Sequence, residues 1–495
     1  MNIEEEYIRI IFGLKLKQIR TEKNLSLFGL SKLTKISKSY LNEIEKGKKY
    51  PKPDKIALLS EKLEVPYDNM VSLKLDKNLA PLGEILQSKI LKEIPLDLFG
   101  IKKTDLIDII SNAPAKVNAF LSTLIEIAKN YNLSRESFFL AALRSYQEAH
   151  NNYFEDLEQS VEQFAKAYQI NLTEKIKFGD LEEILIEEYN YKIIPNGLST
   201  YSDLTELRCL FIPKTNTLLL SDTLDDSQKA FIYAKEIAYN YLDLKERLYT
   251  FPWIKFETFD QVLNNFMASY FAGALIIPKK AIKNQLKTFI KQKEWNSAAF
   301  NKMVTHFTDS PETYYTRLTN ILPKLFHFKN LFFLRFTHKE GDNRYKLSKE
   351  LHITQQQPPT ANETHEHYCR RWVSIEIMNK LKQEQLTSDI QISFYPENNL
   401  SYLVISSATP DPFKKNHKRS ISLGLLISPL LSSKLSFLND PKIITKDVGV
   451  TCERCPITDC EVRATEATEL QKKAKNEAIA NTVSQIINDY STIDK

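Results

Sequence analysis

Between residues 8 and 22 the apolar side chains Ile8, Ile11, Phe12, Leu16 and Ile19 recur at the spacing that gathers them on one face of a helix. Ser26 is an N-cap residue ahead of a second apolar set, Leu27, Leu30 and Leu33, so a second helix is expected there. Thr34-Lys35-Ile36 has room only for a turn. Ser37 then caps a third helix over residues 38–46, and Gly47 stands where a helix ends in a left-handed residue. Pro51 and Pro53 precede a fourth helix with Ile56, Leu59 and Leu63 inward. A capped helix after a short turn, with Lys38, Ser39, Asn42 and Lys46 outward, is the arrangement that enters a DNA major groove.

Further along, Leu121, Leu124, Ile125, Ala128 and Tyr131 form an apolar stripe, and Ser134 caps a segment running through Phe138, Ala142 and Tyr146 towards Ala167. That pattern predicts either a long connecting helix or dimerisation arm, or ordinary core helices. The segments Leu207–Ile212 and Thr217–Ser221 read as strands, as do the runs that start at Leu331 and Leu400. Gln355 to Glu363, rich in Gln and Pro, reads as a loop.

Composition adds a compartment and a charge layout. A chain of 495 residues with 42% hydrophobic residues is long enough for about three domains with real cores. Met1-Asn-Ile-Glu-Glu-Glu is no secretion signal, and no window reaches the roughly 18 apolar residues of a membrane span. The expectation is a cytoplasmic protein with no membrane partner. Residues 1–78 hold 16 Lys and Arg against 11 Asp and Glu, a surplus equal to the +5 of the whole chain. A small basic head on a neutral body suits DNA binding.

Two further patterns carry chemistry. Residues 235–239 sit in a helical run where a zinc metallopeptidase would need His at both ends and Glu beside the first. Here those positions read Lys235, Glu236 and Tyr239, and the stretch 265–278 downstream resembles the second signature of such metallopeptidases, a resemblance that puts Asn265 at the third-ligand position. A lysine cation repels zinc and a tyrosine is a poor ligand unless ionised, so no peptidase activity is expected. Near the C-terminus Cys452, Cys455 and Cys460 lie within nine residues, and Cys369 follows His365-Glu366-His367-Tyr368. Thiols so close in a reducing compartment converge because a metal or cluster neutralises them, either zinc or an iron–sulfur cluster. Cys209, isolated, is expected to be an ordinary buried thiol. Lys418, Arg419, Ser420 and Ser422 combine cations and hydroxyls before Gly424, a stretch suited to phosphates or to a solvated basic loop.

Residues 10–73 resemble the Cro/repressor-type (XRE-like) helix-turn-helix family through Leu25-Ser26, Leu30, Leu33, Ser37, Tyr40-Leu41, Ile44-Glu45-Lys46-Gly47-Lys48 and Pro51. The resemblance assigns DNA contact to Ser26, Ser37, Lys38, Ser39, Tyr40, Asn42, Lys46 and Lys48. Leu27 departs from it, where the family often carries a glutamine. Residues 175–285 look like the ImmA/IrrE-type metallopeptidase domain in disabled form. The order of parts, with His367-Tyr368-Cys369-Arg370-Arg371-Trp372 and the three C-terminal cysteines, is similar to bacterial regulators that respond to short-chain fatty acyl-CoA. That resemblance implies an acyl-CoA effector and cluster ligation, slightly favouring [4Fe–4S] over zinc, by Cys369, Cys452, Cys455 and Cys460.

The expected chain is multidomain and mainly α, with an α+β C-terminal part. An all-α helix-turn-helix head covers 1–78, a helical linker or dimerisation region 79–170, a zincin-like α+β domain 171–290, and a mixed metal or cluster domain 291–495. The expected function is a transcription regulator of fatty-acid, propionate or acetate metabolism, dimeric on a duplex operator; the alternative is a metal- or redox-dependent repressor without an acyl ligand.

Overall fold

Gly13 shows how tightly the head is drawn together: a Cβ there would fall 2.2 Å from the carbonyl oxygen of Ile44, so the first and third helices meet backbone to backbone. The helices are α1 (Ile3–Glu22), α2 (Leu27–Thr34), α3 (Lys38–Glu45), α4 (Pro53–Leu63) and α5 (Tyr67–Val71). Phe12, Leu16, Leu30, Ile36, Leu41, Ile44, Ile56, Leu59, Leu63 and Met70 form their common core. Leu33, expected inward, is 44% exposed. Thr34 takes the inward place instead, buried, with its hydroxyl donating to the Leu30 carbonyl at 2.7 Å.

The computed structural model describes residues 3–73, 135–251, 257–353, 366–381, 386–412 and 414–491. The chain divides into two units, Met1–Ala142 and Leu143–Lys495. The expected stripe from Leu121 to Tyr131 and the loop from Gln355 to Glu363 lie outside the described residues.

The run expected to continue towards Ala167 is two helices, α6 (Arg135–Ala149) and α7 (Glu155–Ala167). Asn151 and Asn152 break it with φ of 50° and 51°, a left-handed conformation that asparagine tolerates better than most side chains. Leu157, Val161 and Phe164 of α7 belong to the main core of the second unit. Residues 155–167 are therefore part of the body, the core-helix alternative of the sequence pattern and not the linker or dimerisation region expected over 79–170.

The small sheet of this unit contains β1 (Lys192–Ile194), β2 (Cys209–Ile212), β3 (Thr217–Leu220) and β4 (Thr250–Phe251) in the order β1-β3-β2-β4. Only the β1–β3 pair is parallel. The helices α8 (Phe178–Glu187), α9 (Asp226–Tyr241) and α10 (Phe259–Ile276) accompany it, with α9 packed between the other two. An Asp225–Gln228 capping box starts α9.

Three helices follow, α11 (Lys279–Phe289), α12 (Ser297–Phe307) and α13 (Pro311–Ile321). The large sheet then takes β5 (Leu331–Lys339), β6 (Lys346–Ile353), β7 (Thr387–Tyr395), β8 (Leu400–Pro410), β9 (His417–Leu426) and β10 (Ile444–Asp447) in the order β10-β7-β8-β9-β5-β6. It is antiparallel except at the β10–β7 edge. Side-chain alternation gives it two cores. Ile405, Ile421, Leu423 and Leu425 face the side of α12 and α13, while Phe332, Leu334, Phe336 and Val404 pack with α14 (Val373–Lys380) on the other. The short α15 (Pro429–Lys434) precedes β10, and α16 (Thr468–Ser491) follows the cysteine segment. Among the described residues no helix is long and apolar enough to cross a membrane.

Candidate functional site

Both helix starts that define the head are built by serine. The Ser26 hydroxyl accepts from the Gly29 N–H at 2.9 Å, and the Ser37 hydroxyl accepts from the Tyr40 N–H at 3.3 Å. Each satisfies one of the orphan N–H groups of a first helical turn. Between them Lys35 turns the chain with φ 57°. Glu45, buried at the end of α3, takes a two-oxygen salt bridge from Arg20 at 2.6 and 3.0 Å. That bond fixes α3 against α1. Lys38 and Ser39 are left exposed at the start of α3, Asn42 is half-buried one turn on, and Lys46 and Lys48 are exposed beyond its end. Tyr40 is half-buried, with the Lys55 ammonium 4.1 Å from its ring centre. Five of the eight expected DNA contacts thus stand on or beside the exposed side of α3, while Ser26 and Ser37 spend their oxygens on capping.

A family model described as a helix-turn-helix domain matches residues 13–75. The head is a helix-turn-helix domain. No curated protein matches the chain. Among solved structures, a Mycobacterium tuberculosis transcriptional regulator is similar at 18% identity, over 65% of this chain and 92% of that one, with a TM-score of 0.46. Helix-turn-helix domains in general cross the DNA backbone with the first helix of the motif and read the groove with the second, and α2 and α3 hold those two places in the chain.

In the body, the segments that carry Cys369 and Cys452 are joined by an isolated antiparallel bridge between Tyr368 and Thr451. The Cys369 N–H donates to the Val450 carbonyl at 3.0 Å, and the Cys452 N–H donates to the His367 carbonyl at 2.8 Å. Residues flanking a bridge pair on either side point to the same face, so Cys369 and Cys452 are diagonal neighbours. Gly449 permits the approach of a third thiol: a Cβ there would lie 2.7 Å from the Cys455 sulfur. Burial pushes the Cys369 thiol up to about 11, opposed by N–H groups of Arg371 and Gly449 and reinforced by Cys455 and Cys452. Burial also raises Cys455, against the Ile457 N–H and the Arg463 guanidinium, with Cys452 and Cys460 adding to the rise. Each of the four thiols is therefore within electrostatic reach of another.

Support for this segment was not apparent from the cysteine spacing. Arg463 donates to the carbonyls of Cys452 at 2.9 Å, Cys455 at 3.2 Å, and Ile457. Glu453 takes the His367 ring at 2.8 Å, and Glu366 takes Arg454 and the Thr451 hydroxyl, each at 2.6 Å. Soft donors, a nearby guanidinium and N–H groups aimed at sulfur suit a thiolate-bound metal. Among the described residues, however, no three His, Cys, Asp or Glu side chains already stand in an arrangement that holds a metal ion.

The expected phosphate-binding group is divided by the large sheet. Lys418, Arg419, Ser420 and Ser422 lie within β9, so successive side chains leave opposite faces. Ser420 and Ser422 are fully buried, bonded to the Ser374 carbonyl and the Ser406 hydroxyl. Arg419 faces the other way, donating to Thr409 at 3.2 Å in the field of Glu312 on α13. The two serines and the arginine cannot close on one phosphate.

The three degenerate ligand positions do converge. Lys235 and Tyr239 lie one turn apart on α9, and Asn265 comes from α10. The Lys235 ammonium donates to the Asn265 side-chain oxygen at 2.6 Å, and the Tyr239 hydroxyl donates to the same atom at 3.4 Å. Burial lowers Lys235 to about 8, partly opposed by Cys209 and Glu236. Glu236, the residue a peptidase would use as its base, is bonded to Arg247 and accepts from the Tyr191 hydroxyl at 3.0 Å. Neither partner was signalled by the motif, since Arg247 and Tyr191 lie outside α9. Cys209 is buried, its thiol pushed up to about 12 by that burial.

Proposed function

We propose that the protein is a transcription regulator in which the helix-turn-helix domain reads an operator as part of a dimer and the body senses a short-chain acyl-CoA. The observation that carries the DNA reading is the serine-capped α3, locked by Arg20–Glu45, with Lys38 and Ser39 exposed. Support for the effector is the order of parts and the C-terminal anchors that resemble acyl-CoA-responsive regulators. The zincin-like domain serves in this reading as a scaffold without peptidase activity, since Lys235, Tyr239 and Asn265 stand at its ligand positions and Glu236 is paired with Arg247.

The second reading, a regulator governed by a metal or cluster without an acyl ligand, is favoured by the gathering of Cys369, Cys452, Cys455 and Cys460. Those four thiols would hold the metal, which would supply a redox- or metal-dependent brace between two distant segments. The division of Arg419 from Ser420 and Ser422 also weighs towards it. Anaerobic purification with mass spectrometry and metal analysis separates the two. Co-purified CoA thioester that shifts operator binding supports the first; operator binding that follows metal content alone supports the second. Failure of the full chain to bind any duplex would overturn both.

A further inference from the structure

The C-terminal helix α16 is 24 residues long, about 36 Å from end to end. It packs on the turn Cys452–Arg454, and every side chain from Gln471 to Ile486 is exposed. Ile479, Val483 and Ile486 follow one another at spacings of four and three, the seam of a two-stranded coiled coil, and are 54%, 49% and 51% exposed. The stretch that carries them is a poor helix by itself. Ile479, Thr482, Val483 and Ile486 are β-branched, and Asn481 and Ser484 are weak helix formers too. A helix of such residues owes its order to packing of its apolar face more than to propensity. Towards the N-terminus the same seam turns polar, with Asn476 and then Lys472, and Lys475 stands beside it. Lys473 lies off the seam and pairs with Glu477 at 3.9 Å.

We propose that a second copy of the chain docks on this seam, the two α16 helices lying antiparallel over their C-terminal halves. The contact rests on the dimeric operator reading above and gives that dimer a closure outside the head. Antiparallel, Val483 of each copy stands opposite Ile486 of the other, so the apolar part of one seam covers the apolar part of the other. In that register the other copy's helix, ending at Ser491, stops about one turn from Lys475. The last four carbonyls of a helix have no partner within it and carry partial negative charge. They would face Lys475 and Lys472, a match of charge that each copy offers the other. Parallel pairing would instead set Lys472 against its own counterpart, where like charges repel. The antiparallel contact is two-fold, each copy giving and receiving the same groups, so association stops at two.

Sedimentation velocity of the full chain at low salt, up to about 100 μM, should show a reversible dimer. Val483→Glu with Ile486→Glu should raise its dissociation constant at least about tenfold, whereas Asn481→Glu, on the opposite face of the helix, should leave it unchanged. Glutamate favours a helix more than valine or isoleucine does, so a lost dimer would not reflect a lost helix. Lys472→Gln with Lys475→Gln should weaken the antiparallel pair, and would strengthen a parallel one. A wild-type monomer at that concentration, undiminished association of the Val483 and Ile486 variant, an equal loss with Asn481→Glu, or tighter association of the lysine variant would each overturn the site. The operator reading is judged apart from this. A variant that is monomeric in solution yet loads two copies on one duplex leaves that reading standing, and a wild-type dimer that binds no duplex sinks it alone.

Discussion

Asn42 and Lys235 show two opposite uses of a single polar side chain. On the reading helix, half-buried Asn42 stands one turn from Lys38 and Ser39, so its amide faces the same side. Asn42→Ala is expected to cost about 1–3 kcal/mol on the preferred operator and to relax specificity at one base pair. Binding titrations on a set of single-base operator variants check this; equal weakening on all of them would misplace the helix. Lys235 instead imposes a pH signature on stability. Its folded value, about 8, lies below the 10.5 of an unfolded lysine, so the unfolded chain binds more protons between those values and stability rises there with pH. Relative to Lys235→Met, wild type should gain on going from pH 8 to pH 10 and change little below pH 7. Urea unfolding of the two proteins across that range measures the difference, and a gap that widens against wild type would refute the sign.

At the scale of elements, the head was legible because local chemistry decides it. Ser26, Ser37 and Gly47 mark helix ends by capping, and the 3.6-residue spacing of Phe12, Leu16, Ile56 and Leu59 marks the inner faces. What escaped was set by long-range partners. Leu33 gave way to Thr34 because α2 ends there, and the Asn151–Asn152 break left α7 to the body. The β9 residues 418–422 read as one site because adjacency in sequence does not reveal a strand's alternation. The tie between α7 and α13 could not be seen at all: Arg317 bonds both oxygens of Glu158 at 2.6 and 2.9 Å, and both are buried. Burial would raise Glu158, but Arg317 and the Tyr270 hydroxyl hold it below the ordinary range. Arg317→Met should cost about 3–5 kcal/mol at neutral pH by stranding that carboxylate. The loss should shrink as the pH falls through the carboxylate range, where Glu158 takes up a proton; denaturant midpoints at pH 7 and pH 4 test it. Gly13→Ala belongs at this scale too. Alanine ordinarily favours a helix by roughly 0.5–1 kcal/mol, but overlap with Ile44 should reverse the sign to a loss of about 1–3 kcal/mol. An unchanged or raised urea midpoint would show that α1 and α3 can separate without cost.

For the whole molecule, the cysteine segment joins parts of the chain that lie far apart in sequence. The spacing named Cys369, Cys452, Cys455 and Cys460, and the Tyr368–Thr451 bridge brings their segments together; Gly449 and Arg463 carry the rest of the support. Replacing any one of the four with Ala should lower metal content and melting temperature together, while Cys209→Ala should leave metal content unchanged. Metal analysis beside thermal melts checks both, and a melt that drops with full metal retained would reduce the cysteines to packing. The bridge has a further consequence in time. Its partners are 83 positions apart, with β7, β8 and β9 between them, and contacts of such separation close late because the chain entropy of a long loop must be lost first. The hairpins of the large sheet should therefore protect their amides before the bridge does during refolding. A newly made chain would pass through an interval in which its thiols are still apart, each open to the wrong partner.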